Sequence, residues 1–251
     1  MGAKGKKKKL GLGSWIILVI CAMVFCGSAG YLGLYAKDKL DSEKEFNELG
    51  DMRAAGLENL YAENNDFVGW IEVDGTRINY PVMQTPDNPE FYLHRDFHKQ
   101  DSVSGTPFAD ATSVLTGKYK TWNWVIYGHN MKFGTMFHDL EKFGDKEFWK
   151  EHGTFTFDTY NPEDGVQMGD YEIVTVARSR IKEAGSTEFK YYQYACYNDE
   201  ETFNEFVEGI KSEALYDTGI TPEYGDQLVT LTTCAYHTNE GRFYIVGRKV
   251  N

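Results

Sequence analysis

Thr230-Leu231-Thr232-Thr233-Cys234, with Gly241-Arg242-Phe243 following it, is the stretch whose reading decides the fold. It places a cysteine at the end of an apolar, β-branched run and an arginine at the start of the next one. Positions 234 and 242 sum to 476, so a hairpin centred on Thr238 makes them direct cross-strand partners. Opposed residues of an antiparallel pair point to one face, with Cβ atoms about 4.5–5.5 Å apart. A thiol beside a permanent cation is a nucleophile with a charge stabiliser, provided that a base is near. The candidate base is His129, in Tyr127-Gly128-His129-Asn130. The geometry requires a hairpin without a bulge, because one inserted residue changes the register.

Outward from that hairpin the chain has the texture of a mainly β protein. Val68–Val73 and Arg77–Val82 flank Asp74-Gly75-Thr76, a hairpin signal. Strands are expected also at Thr106–Ala109, Thr121–Tyr127, Thr154–Thr159, Tyr171–Arg178, Leu228–Cys234 and Arg242–Val250. Short β runs joined by Gly- and Asp-rich turns predict a closed barrel of about eight strands. Two helical interruptions are expected, Thr135–Lys142 with Lys146–Glu151, and Asp199–Tyr216 just before the Cys234 strand. The second carries Phe203, Phe206, Val207, Ile210, Ala214 and Leu215 on one face.

The N-terminal quarter differs. Ser14 to Ala36 is 23 residues without a charge. As a helix that is about 34 Å, enough for a hydrocarbon core of about 30 Å. Lys4, Lys6, Lys7, Lys8 and Lys9 precede it and predict a cytoplasmic N-terminus, with everything after Lys37 outside. A cleaved signal peptide is the rival, with Gly27-Ser28-Ala29 as its cut. The run continues past that point through Leu32, Leu34 and Tyr35, which favours an anchor. The expected division is a basic tail at 1–13, a membrane anchor at 14–36, a helical stalk at 37–65 and the catalytic domain at 66–251. The stalk reads as an amphipathic helix, with Gly50 and Gly56 as its weak points and the candidate places for a division.

The net charge of −12 excludes one class of partner. Without the five N-terminal lysines the chain carries 21 basic against 38 acidic residues, the opposite of a nucleic-acid-binding surface. No His-Glu-x-x-His, paired Cys-x-x-Cys or phosphate-binding glycine loop is present, so neither a metal nor a cofactor is expected. Outside the span the cysteines are Cys196 and Cys234. They could form one disulfide, but Cys196 is expected to be a small buried apolar residue.

Thr-Leu-Thr-Thr-Cys with its following Arg, and Tyr-Gly-His-Asn upstream, resembles the sortases. Asn79-Tyr80-Pro81-Val82-Met83-Gln84, Phe91-Tyr92-Leu93-His94-Arg95-Asp96-Phe97, Gly105-Thr106-Pro107-Phe108-Ala109-Asp110 and Gly128-His129-Asn130-Met131 resemble class B of that family, over roughly Asp66 to Asn251. The resemblance implies a cysteine transpeptidase of a Gram-positive cell surface. It would cut a secreted protein's C-terminal sorting signal after threonine, in an Asn-Pro-x-Thr-like or Pro-x-Thr-Gly-like motif. Cys234 would hold the acyl group as a thioester and pass it to a peptidoglycan cross-bridge amine, or to a pilin lysine. His129 would act as general acid and base, and Arg242 would steady the oxyanion or the substrate backbone. Thr232, Thr233, Asn130 and Tyr236 are the candidate substrate contacts. The helix before the Cys strand would lie in the loop that shapes the groove. His237 is the rival base, and Asn130 or Asp139 could orient His129. A surface cysteine protease and a non-catalytic peptide-binding module are the competing functions.

Overall fold

The computed structural model describes residues 11–251 apart from 118, 184 and 237. The basic tail and His237 therefore lie outside the described residues. Nine strands are formed among them: β1 Phe67–Val73, β2 Asn79–Met83, β3 Phe108–Ala109, β4 Asn123–Tyr127, β5 Thr154–Asn161, β6 Gly165–Gln167, β7 Asp170–Arg180, β8 Leu228–Cys234 and β9 Gly241–Lys249. Their order is β1-β2-β3-β4-β8-β9-β7-β5-β6, and β1 also pairs with β5. That last pairing closes eight strands into a barrel and leaves β6 as a short flap on β5.

The deciding hairpin forms as its spacing requires. Each β8 residue from Leu228 to Cys234 pairs with its β9 partner without a bulge, ending on Cys234 opposite Arg242. Side chains alternate across the barrel wall. Val229 and Leu231 enter the barrel core with Ile71, Val82, Ile126 and Ile245. Leu228 on β8 and Tyr244 and Val246 on β9 face outward, into a second apolar cluster. By the same period, Thr232, Cys234 and Arg242 lie on the outer face.

Helix α4, Glu200–Glu213, covers part of that face. Asp199 caps it, its carboxylate accepting from the Thr202 N–H at 2.9 Å. Phe203, Phe206, Val207 and Ile210 are buried against Trp122, Tyr191 and Tyr244. Each contributes on the order of 1.5–3 kcal/mol of apolar burial. The helix stops three residues short of the expected Tyr216. Ala214 leaves helical geometry to bridge Ala177 of β7, and Leu215 donates its N–H to the Val176 carbonyl, which turns its side chain outward.

Other departures have equally local causes. The strands expected from Thr106 and Thr121 begin two residues later. The Thr106 hydroxyl donates to the Arg95 carbonyl, and that of Thr121 accepts from the Val114 N–H, so both residues belong to the preceding loops. The segment after Met136 is a 3-10 helix, Phe137–Gly144, followed by α3 at Lys146–His152. β6 is short and solvent-facing, so it carries no alternation to detect.

Helix α1 runs from Leu12 to Ala55 without interruption at Gly50. Leu49 is buried and Phe46 packs edge-on to Tyr80 at 4.8 Å, so docking outweighs the roughly 1 kcal/mol that a helical glycine costs. The break comes at Gly56, whose φ of +133° suits only glycine, and α2 follows at Leu57–Glu63. The N-terminal half of α1 is long and apolar enough to cross a membrane.

Candidate active site

The reactive residues meet at the ends of β4 and β8, which run parallel. Asn123 to Tyr127 pair with Leu228 to Thr232. Two further hydrogen bonds extend this ladder: Gly128 N–H to the Thr232 carbonyl at 3.1 Å, and Thr233 Oγ to the Gly128 carbonyl at 2.7 Å. Carried one step more, the register sets His129 level with Cys234. Gly128 has no substitute here, because a Cβ would stand 2.6 Å from the Phe137 ring. The Phe137 N–H also donates to the His129 carbonyl, which fixes the backbone on its far side.

A cavity of about 350 Å³ opens at this point on the outer face of the wall. Cys234, His129, Arg242, Thr232 and Thr233 all line it. Pro89, Glu90 and Leu93 form one side, and Ile181, Tyr191 and Tyr192 from the β7–α4 loop the other. Helix α4 itself contributes no lining residue. It supports the groove from below by burying Tyr191, which stacks on Tyr244 at 4.2 Å.

The His129 ring has one defined partner. Its Nε2 lies 2.9 Å from the Leu93 carbonyl oxygen. A carbonyl can only accept, so Nε2 carries a proton and Nδ1 is the nitrogen free to exchange one. Burial lowers the imidazole's pKa; the Leu93 bond opposes this, and His94, stacked at 5.8 Å, adds to the lowering. Neutral imidazole is therefore the resting form at neutral pH.

Arg242 has its Nη1 on the Gly241 carbonyl at 3.0 Å, which holds the guanidinium over the turn beside the thiol. Thr232 is buried, and its Oγ bonds the Tyr191 hydroxyl at 2.6 Å. Burial pushes the Tyr191 phenol well up, so it remains a neutral hydrogen-bonding group. Tyr127 is likewise raised, by burial first and then by Asp110, whose carboxylate accepts its proton at 2.9 Å.

The remaining candidates stand elsewhere. Asn130 does not line the cavity. Its amide donates to the Cys234 carbonyl at 2.8 Å and to Glu141 at 3.0 Å, while its oxygen accepts from His138 at 2.6 Å. It braces the Cys234 backbone from behind. Tyr236 is 72% exposed, outside the cavity, with a long 3.4 Å contact to the Asn130 carbonyl. Asp139 does not orient His129 either. It pairs with Arg77 and Lys142, both at 3.1 Å. Burial would raise this carboxyl, but those partners hold it below its usual range. Cys196 is an exposed free thiol rather than a buried one, because the apolar position in its turn is taken by Ala195; Cys234 is also free.

Leu93, Tyr191 and Ile181 were not among the residues singled out from sequence. Leu93 acts through a backbone carbonyl, which no residue type announces. The other two reach the site by a loop whose path depends on α4 docking.

Comparisons with known proteins bear on the family and the fold. Residues 71–250 match the model of the sortase domain. Sortase B of Listeria monocytogenes is 32% identical over 219 residues, covering 86% of this chain and 81% of that protein. The crystal structure of Clostridium perfringens sortase B superposes with a TM-score of 0.66 at 30% identity, covering 78% of this chain and all of that one. A Staphylococcus aureus sortase B–substrate complex has a TM-score of 0.70 at 24% identity, over 86% of this chain and 97% of that one, and attests the fold.

Proposed function

Because the chain belongs to the class B sortases, which are cysteine transpeptidases, we propose that Cys234, His129 and Arg242 carry out acyl transfer on a threonine-containing sorting signal. The observation that carries this is the convergence of all three side chains on one cavity, with Cys234 and Arg242 paired across the ladder.

The Cys234 thiol gives its proton to Nδ1 of His129, and the resulting thiolate attacks the carbonyl carbon of the threonine. The oxyanion develops on that carbonyl oxygen, where the Arg242 guanidinium stabilises it. Collapse breaks the C–N bond, and Nδ1 of His129 hands a proton to the departing amine. The product is a Cys234 thioester. An incoming amine then attacks and loses a proton to Nδ1, and collapse expels the Cys234 sulfur, which takes that proton back and restores the thiol. Nε2 stays protonated on the Leu93 carbonyl throughout.

The chain is anchored by residues 14–36, with its lysine-rich start in the cytoplasm and the catalytic domain outside. The donor is a secreted protein with a C-terminal sorting motif, and the acceptor is a cell-wall cross-bridge amine. A pilin lysine presents the same nucleophile chemically.

The test is incubation of the full chain with threonine-containing sorting peptides and a mixture of amines, read by mass spectrometry. A thioester mass on Cys234 and an amine-exchanged product are expected. Cleavage to the free acid in abundant amine would convert the reading to a protease. No adduct at a reactive Cys234 thiol, with any peptide tried, would remove the proposed donor class.

A further inference from the structure

The outer end of helix α1 does not leave the membrane alone. Tyr31 and Tyr35 lie one turn apart and stack, with ring centroids 6.5 Å apart and planes at 8°. Tyr35 in turn meets Phe133 at 4.6 Å. Lys39 stands over the Phe133 ring, its Nζ 5.7 Å from the centroid. Phe133 belongs to the turn that follows His129, and Tyr236 to the turn that follows Cys234. The Tyr236 hydroxyl donates to the Asn130 carbonyl at 3.4 Å, so the second turn leans on the first, which meets the anchor helix through Phe133.

These side chains remain open to solvent: Tyr31 is 69% exposed, Tyr236 72% and Phe133 43%. Scattered apolar exposure needs no explanation, but aromatics gathered from three segments make a patch. Its height is set by the helix. The uncharged run is about 34 Å long against a hydrocarbon core of about 30 Å, so its last turn emerges at the boundary. Tyr35 is in that turn, and the Phe133 ring packs against it, tilted by 38°. Interfacial depth is where tyrosine is enriched, its ring in the acyl boundary and its hydroxyl in water, and where lysine snorkels toward the headgroups.

We propose that Tyr31, Tyr35, Phe133 and Tyr236 form a seat on the lipid interface that holds the two reactive turns against the membrane surface. The occupant is the headgroup–acyl boundary of the bilayer that the anchor crosses, and the inference rests on that anchor. The seat fixes the height of the cavity, so it favours donors that are themselves held at the membrane over free peptides.

The test uses the full chain in lipid nanodiscs at one chain per disc, with 4-fluorophenylalanine at position 133 and, in a second sample, at position 166. Val166 lies beyond the start of β7, at the end of the barrel away from Cys234. A nitroxide-headgroup lipid should strongly relax the fluorine at 133 and spare the one at 166. Phe133→Ser should lose several-fold in kcat/KM on a lipid-anchored sorting peptide and keep its rate on the free peptide. Equal relaxation at the two positions, in a chain that floats with lipid, overturns the seat and leaves the anchor standing. A chain that does not float with lipid overturns the anchor and the seat together. Relaxation at 133 that needs two chains per disc assigns the patch to a second copy instead.

Discussion

The two walls of the cavity are built on different principles. The Cys234–Arg242 wall is a ladder, with seven consecutive pairs along β8 and β9 in one register. The His129 wall is a loop assembly. Its ring leans on a carbonyl in the Phe91–His94 turn, and that turn is held from outside the barrel. Tyr92 is fully buried, with its hydroxyl between Asn64 at 2.7 Å and Asp66 at 2.8 Å. The Thr106 N–H takes the Tyr92 carbonyl, and Asn64 also takes the Phe97 carbonyl at 2.6 Å. The nucleophile is therefore positioned by covalent neighbours and regular hydrogen bonds. His129 is positioned through a turn held by side chains 26 and more residues away from it. A ladder fails locally when it is broken, whereas a loop assembly can drift as a unit.

The largest effects should come from the ladder wall. Cys234→Ala should reduce turnover to background and leave the thermal midpoint nearly unchanged, since Cys234 is half-exposed at the strand end. Absence of the thioester mass in this variant, beside its presence in the parent, is the check. Arg242→Lys keeps a charge but loses the fork geometry. A loss of about 10²–10³ in kcat is expected, the range for removing one oxyanion donor. A rate near that of the parent for Arg242→Ala would remove Arg242 from the chemistry altogether.

The loop wall should respond next. Gly105 has φ of +60°, and a Cβ there would stand 2.6 Å from the Leu93 carbonyl oxygen and 2.7 Å from that of Tyr92. Gly105→Ala must push the very oxygen that holds His129. A loss of about 10² in kcat is expected, of the size that a misplacement of about 1 Å produces. Nitrogen NMR of the ring should show Nε2–H giving way to a mixture of tautomers. A destabilised variant that retains the tautomer and the kcat would show that the turn serves stability alone. Behind both walls, Asn130→Ala would leave the Cys234 carbonyl and Glu141 without their donor. A stability loss of about 1–3 kcal/mol by denaturant titration is expected, with a fall in kcat because the carbonyl belongs to the nucleophile.

This contrast also explains what was legible. Cys234 and Arg242 could be paired from sequence because both belong to one hairpin, where register is arithmetic. The eight-strand closure followed from strand count and turn chemistry, and the capped helix before β8 from its apolar face. The parallel β4–β8 contact joins residues 105 apart, and no local pattern encodes it. Residue type and motif single out His129, which lines the same cavity as Cys234 and Arg242, while its support on the Leu93 carbonyl has no sequence signal. Asn130 and Tyr236 were chosen for nearness in sequence to the reactive residues. One turns inward to brace a carbonyl and the other turns out into solvent. Gly50 and Gly56 look alike in sequence, yet only Gly56 takes a conformation that helix cannot hold.

The smallest predicted effect lies farthest from the chemistry, where the stalk meets the loop wall. Glu45 of α1 accepts from the Phe97 N–H at 3.1 Å, and Asp38, two turns earlier, accepts from the Val103 N–H at 2.9 Å and the Ser104 hydroxyl at 2.8 Å. These carboxylates clip the 91–104 segment to the stalk. Burial, and then the charge of Asp96, raise the Glu45 pKa to about 7. Its unfolded value is 4.5, so the folded state holds a proton that the unfolded state gives up between these limits. Stability then falls as pH rises from about 4.5 toward 7, and the penalty is fully present above 7. His129 acts in the opposite sense: its lowered pKa means that stability falls as pH drops through the ordinary histidine range. The two must be separated by difference. Glu45→Gln keeps an acceptor for Phe97 and removes the titration. Its thermal midpoint should exceed the parent's at pH 8 by a few degrees and converge with it near pH 5. Parallel midpoint curves across that window would mean that Glu45 is ionised in the folded protein, and that the clip carries no pH dependence into the loop that holds the base.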